Sequence, residues 1–425
     1  MTSEPSVVDP SLTEHRVESG PLAGAGGIPW PVGARDRKVN HPSMEGVVAT
    51  SSLGMISADS HVNEPRDLWS ANLPAPMRAR AMRGIQSTED GGWSLILDGS
   101  HIGKAGTSEV DRLAATEPGH RLGVMREEGI AGECIFPTIG LYVWMLQDPE
   151  DGRISCRIYN DWVHQQLERQ SPRFRCAGIV PTWRIEDALD EVAHIGELGL
   201  GAAMLPTVAE PSYNHRQWEP LWEAIEAAGL PVVMHQGTGH SMIWYRGPGA
   251  TVANLLATQS IGPRTATLLA TSGVLERHPD LHVVFVEYNV GWLPWVMETI
   301  DYYTESFERY GTTENMGSGR TAGVNRPPKP AITPKLEEKP SFYVRRQVHA
   351  TFQDDPVGMQ NINITGPDAL LWGSDYPHEE GTYPHSRDTV DRLGAPLGPG
   401  VAEKIFRDTA AGLFRFDPAV LASPA

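Results

Sequence analysis

Six side chains in this sequence stand where acid–base or metal chemistry would need them: Asp59, His61, His235, Glu287, His349 and Asp375. The stretch Ile56-Ser57-Ala58-Asp59-Ser60-His61 reads as a short strand that stops at an acid and a histidine. Residues two apart share one face of a strand, so Asp59 and His61 could grip one ion together. Later apolar runs end in the same way, residues 231–235 in His235, 281–287 in Glu287 and 369–375 in Asp375, while 348–352 carries His349 inside it. Imidazoles and carboxylates are the mixed donor set that zinc, manganese or iron accepts. Such an ion lowers the pKa of bound water toward about 7, and Asp375 could both hold the ion and take up that proton. Glu287 has two functional readings, a carboxylate that orients His235 or a ligand of a second ion. One ion is the leading expectation and two the alternative; a salt bridge from Glu287 to Arg345 or Arg346 is the purely structural reading.

Eight short strands must position these groups. Besides the opening one, they lie at 133–137, 176–181, 201–206, 231–235, 281–287, 348–352 and 369–375, most of them separated by a helical segment. Continuous apolar runs alternating with helices indicate a parallel sheet buried on both faces. Eight of them predict a (β/α)8 TIM barrel, whose active site lies at the C-terminal strand ends. The doubly wound alternative lacks a G-x-G-x-x-G after its first strand.

Residues 1–54, rich in Gly, Pro and Ser, read as an irregular N-terminal arm, and 55–415 as the barrel. Within 66–125, Gly92 to Ser100 reads as a strand running into an Asp-Gly turn, hence a small β-insertion after strand one. Residues 310–340 break the alternation and are expected to form a lid or dimer loop; 416–425 is a C-terminal tail.

At 425 residues with 40% hydrophobic and 21% charged side chains, the composition is that of a soluble globular protein. The net charge of -18 excludes nucleic acid and anionic membrane surfaces as main partners. No apolar run reaches the roughly 18 residues of a membrane span, and no signal peptide is evident, so a cytoplasmic location is expected. Cys134, Cys156 and Cys176 lack paired spacing and read as buried, reduced packing residues.

Taken in order, Asp59-Ser60-His61-Val62-Asn63-Glu64-Pro65, His235-Gln236-Gly237, Glu287-Tyr288-Asn289-Val290-Gly291-Trp292 and Gly373-Ser374-Asp375-Tyr376-Pro377-His378 resemble the amidohydrolase superfamily. The similarity is to its amidohydrolase-related (amidohydrolase 2) branch, typified by aminocarboxymuconate semialdehyde decarboxylase. The resemblance implies a distorted TIM barrel with a catalytic divalent metal, commonly zinc, and a homodimer. It carries metal binding onto Asp59, His61, His235 and Asp375. It departs at strand six, where many members place a catalytic histidine and this chain has Glu287.

That departure favours hydrolysis of an ester, thioester, amide or lactone, with Asp375, His235 and Glu287 as the catalytic groups. Non-oxidative decarboxylation of an aromatic or unsaturated acid is the alternative, and a non-catalytic barrel a third reading. The substrate is expected to be a largely apolar small molecule, walled by Trp69, Trp144 and Trp244 and contacted by His349 and His378, with Arg345 and Arg346 pairing a carboxylate or phosphate.

Overall fold

The computed structural model describes residues 53–86, 93–97, 100–105, 115–310, 334–378 and 380–422. The N-terminal arm apart from 53–54, and 311–333 of the expected lid or dimer loop, lie outside the described residues.

Eight parallel strands form one sheet: β1 (Met55–Val62), β5 (Ile130–Pro137), β6 (Phe174–Ile179), β7 (Ala202–Leu205), β8 (Val232–His235), β9 (Val283–Val286), β10 (Val348–Phe352) and β11 (Leu370–Trp372). Their order in space is their order in the chain, each parallel strand lying beside its sequence neighbour, as consecutive elements usually do. The sheet curls until β1 and β11 meet: Asp375 N donates to Asp59 O at 2.8 Å and His61 N to Tyr376 O at 2.7 Å. The (β/α)8 TIM barrel expected from the strand count is therefore the fold.

Its strands were legible because they are buried on both faces; every residue of β1, β5, β7, β8, β9, β10 and β11 is buried. The outer helices read differently. In the helix Ile185–Leu198, Ala188, Val192 and Ile195 form one buried stripe, and Gly199, at φ +73°, ends the helix in the left-handed conformation that glycine tolerates. The helix Pro149–Gln166 starts on an Asp148 cap whose carboxylate accepts from Glu150 N, with Pro149 in its first turn. The insertion after β1 is a three-stranded antiparallel sheet of β2 (Arg83–Gln86), β3 (Trp93–Leu97) and β4 (Ser100–Ala105). Among the described residues no helix is long and apolar enough to cross a membrane.

Candidate metal centre

β1 delivers Asp59 and His61, the last residue of β8 is His235, and the turn after β11 delivers Asp375; each is at most 1% exposed. The two imidazoles are aimed at each other. His61 Nδ1 lies 2.8 Å from Pro137 O and His235 Nδ1 lies 3.0 Å from Gln236 O. Those carbonyls can only accept, so each ring carries its proton on Nδ1 and presents a bare Nε2 lone pair. The two Nε2 atoms are nevertheless 3.0 Å apart. Asp375 Oδ1 is 3.6 Å from His61 Nε2, and Asp59 Oδ1 is 3.8 Å and 3.9 Å from the two Nε2 atoms.

Two facing lone pairs beside two carboxylates repel unless a cation lies among them. Asp59 Oδ1 and Asp375 Oδ2 are buried and accept no hydrogen bond among the described residues, which is costly without a partner. The donor set, two imidazole nitrogens and two carboxylates, fits a divalent transition-metal ion. Ligand atoms of Asp59, His61 and His235 fall within 4.8 Å of one another, as do those of His61, Asp375 and His378.

The electrostatics agree. Burial, then the neighbouring Asp375, pushes the Asp59 carboxyl well above its usual range, and burial followed by Glu380 does the same to Asp375. Burial pushes both imidazoles down, His235 to about 4, which keeps them neutral as ligands must be. The far oxygen of Asp59 is held by Thr351 Oγ1 at 3.3 Å and Gln353 Nε2 at 3.4 Å.

Glu287, just past β9, has its Oε2 3.8 Å from His235 Nδ1 and accepts from Gln236 Nε2 at 3.2 Å. His235 is thus oriented by the Gln236 carbonyl, not by Glu287. Burial, then Asp375 and Asp59, raises the Glu287 carboxyl well above normal. Glu287 and Asp375 both take left-handed backbone, at φ +66° and +55°. Strain of this kind at two non-glycine positions persists where the surroundings enforce it and tends to mark working sites. Glu287, Asp375 and Glu380 also gather within 4.8 Å, as a second, all-oxygen group sharing Asp375. His378 joins the centre: its Nδ1 is 2.9 Å from Asp375 Oδ1 and its ring centroid 4.1 Å from that of His61.

The remaining expected substrate contacts divide. Trp144 and Trp244 lie in the segments after β5 and β8, on the C-terminal side; Trp144 Nε1 donates to Val180 O and Trp244 stacks on His240. Four others are not brought to the centre. Arg345 and Arg346 end the helix Pro340–Gln347, ahead of β10 and so at the opposite mouth of the barrel, where they donate to Ile364 O and Leu275 O. His349, second residue of β10, faces the same end, between Asp368 O and His282 Nδ1. Trp69 is fully buried with its Nε1 on Ser155 O, a packing residue. The purely structural alternative for Glu287, a salt bridge to Arg345 or Arg346, is accordingly not formed.

Several contributors had escaped the sequence. Glu64 accepts from the N–H groups of Thr138, Ile139 and Gly140, tying the end of β1 to the turn that carries Trp144. Arg121 and Glu133 form a buried ion pair beneath His61. Glu133 in an otherwise apolar strand was the available signal, since a buried carboxylate demands a partner.

A closed parallel barrel whose strand ends converge imidazoles and carboxylates on one point defines the metal-dependent barrel enzymes. Residues 58–416 match the amidohydrolase family, and the chain belongs to it. A γ-resorcylate decarboxylase from Polaromonas sp. strain JS666 is 23% identical over 316 residues, covering 68% of this chain and 86% of that protein. The crystal structure of an amidohydrolase from Mycobacterium avium subsp. paratuberculosis K-10 superposes with a TM-score of 0.70 at 18% identity, covering 85% of this chain and 99% of the other. A variant of 5-carboxyvanillate decarboxylase from Novosphingobium aromaticivorans, with bound manganese and 3-methoxy-4-hydroxy-5-nitrobenzoic acid, superposes at 0.62 with 16% identity, covering 86% and 97%.

These similarities correct the expectation of acyl hydrolysis: the relatives just described that are named by their reaction are decarboxylases. The hydrolytic reading rested on the absence of the strand-six catalytic histidine that many family members carry, where this chain has Glu287. Burial, then the neighbouring carboxylates, push the Glu287 carboxyl upward, the direction that favours a proton-donating acid at this strand end.

Proposed function

We propose that this protein is a metal-dependent, non-oxidative decarboxylase of a small aromatic or unsaturated carboxylic acid. The observation that carries the reading is the pair of opposed Nε2 atoms of His61 and His235 flanked by Asp59 and Asp375, in a chain whose similarities run to aromatic-acid decarboxylases. Asp59, His61, His235 and Asp375 would hold one ion, because both imidazoles belong to this set and neither to the all-oxygen group. When bound, the ion supplies positive charge that fixes the substrate carboxylate and stabilises charge developing on the substrate. Manganese, zinc and iron all suit these ligands.

The overall change is R–COO⁻ + H⁺ → R–H + CO₂. The electron pair of the breaking C–C bond stays on the ring or alkene carbon, which must receive a proton as CO₂ leaves. Glu287 is the donor in this scheme. It stands past the end of β9, next to the metal histidine His235, and burial, then the neighbouring carboxylates, push its carboxyl above the usual range, the direction that favours a protonated donor. Trp144, Trp244 and His378 wall the substrate. We further assign a homodimer, supported by exposed apolar side chains on the helices Ala250–Gln259 and Trp292–Tyr310, among them Leu256, Trp295 and Tyr302; a monomeric mass in solution would remove that assignment.

The test is to incubate the manganese-loaded protein in D₂O with a panel of hydroxybenzoates and other aromatic acids. Release of CO₂ with one deuterium at the vacated carbon is expected. Failure to release CO₂ from any of them, or purified protein with no stoichiometric transition metal, defeats the proposal.

A further inference from the structure

Arg121 is a fully buried arginine that touches both halves of the centre without belonging to it. It lies in the helix Pro118–Glu128, which packs on β5. Its Nε donates to Glu133 Oε2 at 2.5 Å, and its Nη1 donates both to His61 O at 2.7 Å and to Ala115 O at 2.8 Å. Its guanidinium carbon lies 5.7 Å from the centre of the Tyr376 ring. One planar cation therefore joins the main chain of the metal histidine on β1, a carboxylate on β5 and the residue that follows Asp375.

The cost of burying this cation makes a purely spacing role uneconomical, since a hydrophobic group of similar volume is often neutral or better at such a position. What the guanidinium provides is fixed direction. Its rigid fork holds the His61 carbonyl and the Glu133 carboxylate at one geometry, which a lysine's single ammonium cannot reproduce. The carbonyl it holds belongs to the residue whose N–H bonds to Tyr376 O, so the same peptide segment is gripped from the helix and from the turn after β11. Movement of that segment by a fraction of an ångström alters the distances from His61 Nε2 to the Asp59 and Asp375 carboxylates, 3.8 Å and 3.6 Å, which leave room for one ion among the three groups.

We infer that Arg121 is a positioning residue for the metal: through His61 O and the Tyr376 ring it sets the spacing of the ligands contributed by β1 and by the turn after β11, and hence the affinity for a divalent ion. This rests on the metal-dependent reading above. Groups that orient ligands from behind typically change metal affinity or activity about 10–100-fold when removed.

The experiment measures manganese affinity by titration and the Mn(II) electron paramagnetic resonance spectrum, on metal-stripped wild-type protein and on Arg121→Lys, each with its melting temperature. For Arg121→Lys that is folded, a Kd weakened by about 10-fold or more and a broadened or shifted spectrum are expected, with excess manganese recovering part of any lost turnover. A folded variant with the wild-type Kd and spectrum overturns the clamp, whatever its melting temperature. If Arg121→Lys does not fold, Glu133→Gln, which keeps an oxygen for Arg121 Nε but removes the counter-charge, must show a several-fold weaker Kd, and an unchanged value overturns the proposal. Wild-type protein that binds no manganese, zinc or iron sinks the metal-dependent reading itself, an outcome distinct from failure of the clamp.

Discussion

Gly373 offers a direct test of whether the seam between β1 and β11 sets the site. A Cβ at this position would lie 2.3 Å from Asp59 Cβ, 3.0 Å from Asp59 N and 3.1 Å from Asp59 Cα. Carbon atoms rest at about 3.5–4.0 Å, so Gly373→Ala requires the strands to part locally by roughly 1.2–1.7 Å. All three contacting atoms are main chain or the first side-chain carbon, which cannot rotate away. Overpacking of this kind costs about 1–3 kcal/mol, and in a protein of this size that lowers the melting temperature by a few degrees. The larger effect falls on Asp59. Its carbonyl accepts from Asp375 N, so displacing it moves two proposed ligands relative to each other. A misplacement of about 1 Å costs on the order of 100-fold in rate. Calorimetry, metal stoichiometry and CO₂ release measured on the same preparation would separate the two effects. A Gly373→Ala protein that melts, binds metal and turns over like the wild type would refute the claim that close approach at this seam positions the ligands.

Glu287→Gln should keep its manganese and its fold but release CO₂ at least about 100-fold more slowly, the lower range for losing a general acid; wild-type turnover would remove Glu287 as proton donor. Asp375→Asn should lose both turnover and metal affinity while remaining folded, and retention of full metal occupancy with full activity would take it out of the ligand set. His349, buried near His282 and the Asp368 carbonyl, has its pKa pushed down to about 4, first by burial and then by His282. Against about 6.5 unfolded, the unfolded chain binds more protons between those values, so this contribution to stability is present above pH 6.5 and is lost as pH falls toward 4. The loss amounts to about 3 kcal/mol, and His349→Gln should flatten the acid limb of denaturant-measured stability in that window; an unchanged slope would show that His349 does not titrate as described.

The strands could be read from sequence because burial on both faces leaves short unbroken apolar runs, and the site could be read because polar residues end them. Asp59, His61, His235 and Asp375 announce themselves as groups too polar for where they stand. The opposite error befell Arg345, Arg346 and His349. They were grouped with the site by proximity to a strand, whereas a residue before or at the start of a parallel strand belongs to the other mouth of the barrel. Glu287 was found, but not the role now proposed for it, since a carboxyl's protonation depends on burial and neighbours that spacing does not report. Arg121 was missed because its partners, His61 O and Glu133, are fixed by three-dimensional packing, and a main-chain acceptor leaves no mark on a sequence.

The placement of the centre follows from how the barrel closes. β1 and β11 come from the two ends of the described barrel, and their main-chain hydrogen bonds are few, Asp375 N to Asp59 O and His61 N to Tyr376 O, supplemented by a serine pair in which Ser374 N donates to Ser57 Oγ at 2.8 Å and the two Oγ atoms lie 3.0 Å apart. Three of the four proposed ligands, Asp59, His61 and Asp375, straddle this join, and only His235 comes from the far wall. Closing the barrel and assembling the donor set are thus one event. Bringing two carboxylates and a neutral imidazole together at a join with so few main-chain bonds is unfavourable in itself, as the raised Asp59 and Asp375 carboxyls record. A divalent ion held by these residues would convert that repulsion into attraction across the seam. Ligand geometry and closure of the fold therefore reinforce each other, which is why the chain can place its most polar residues at its least hydrogen-bonded strand pair.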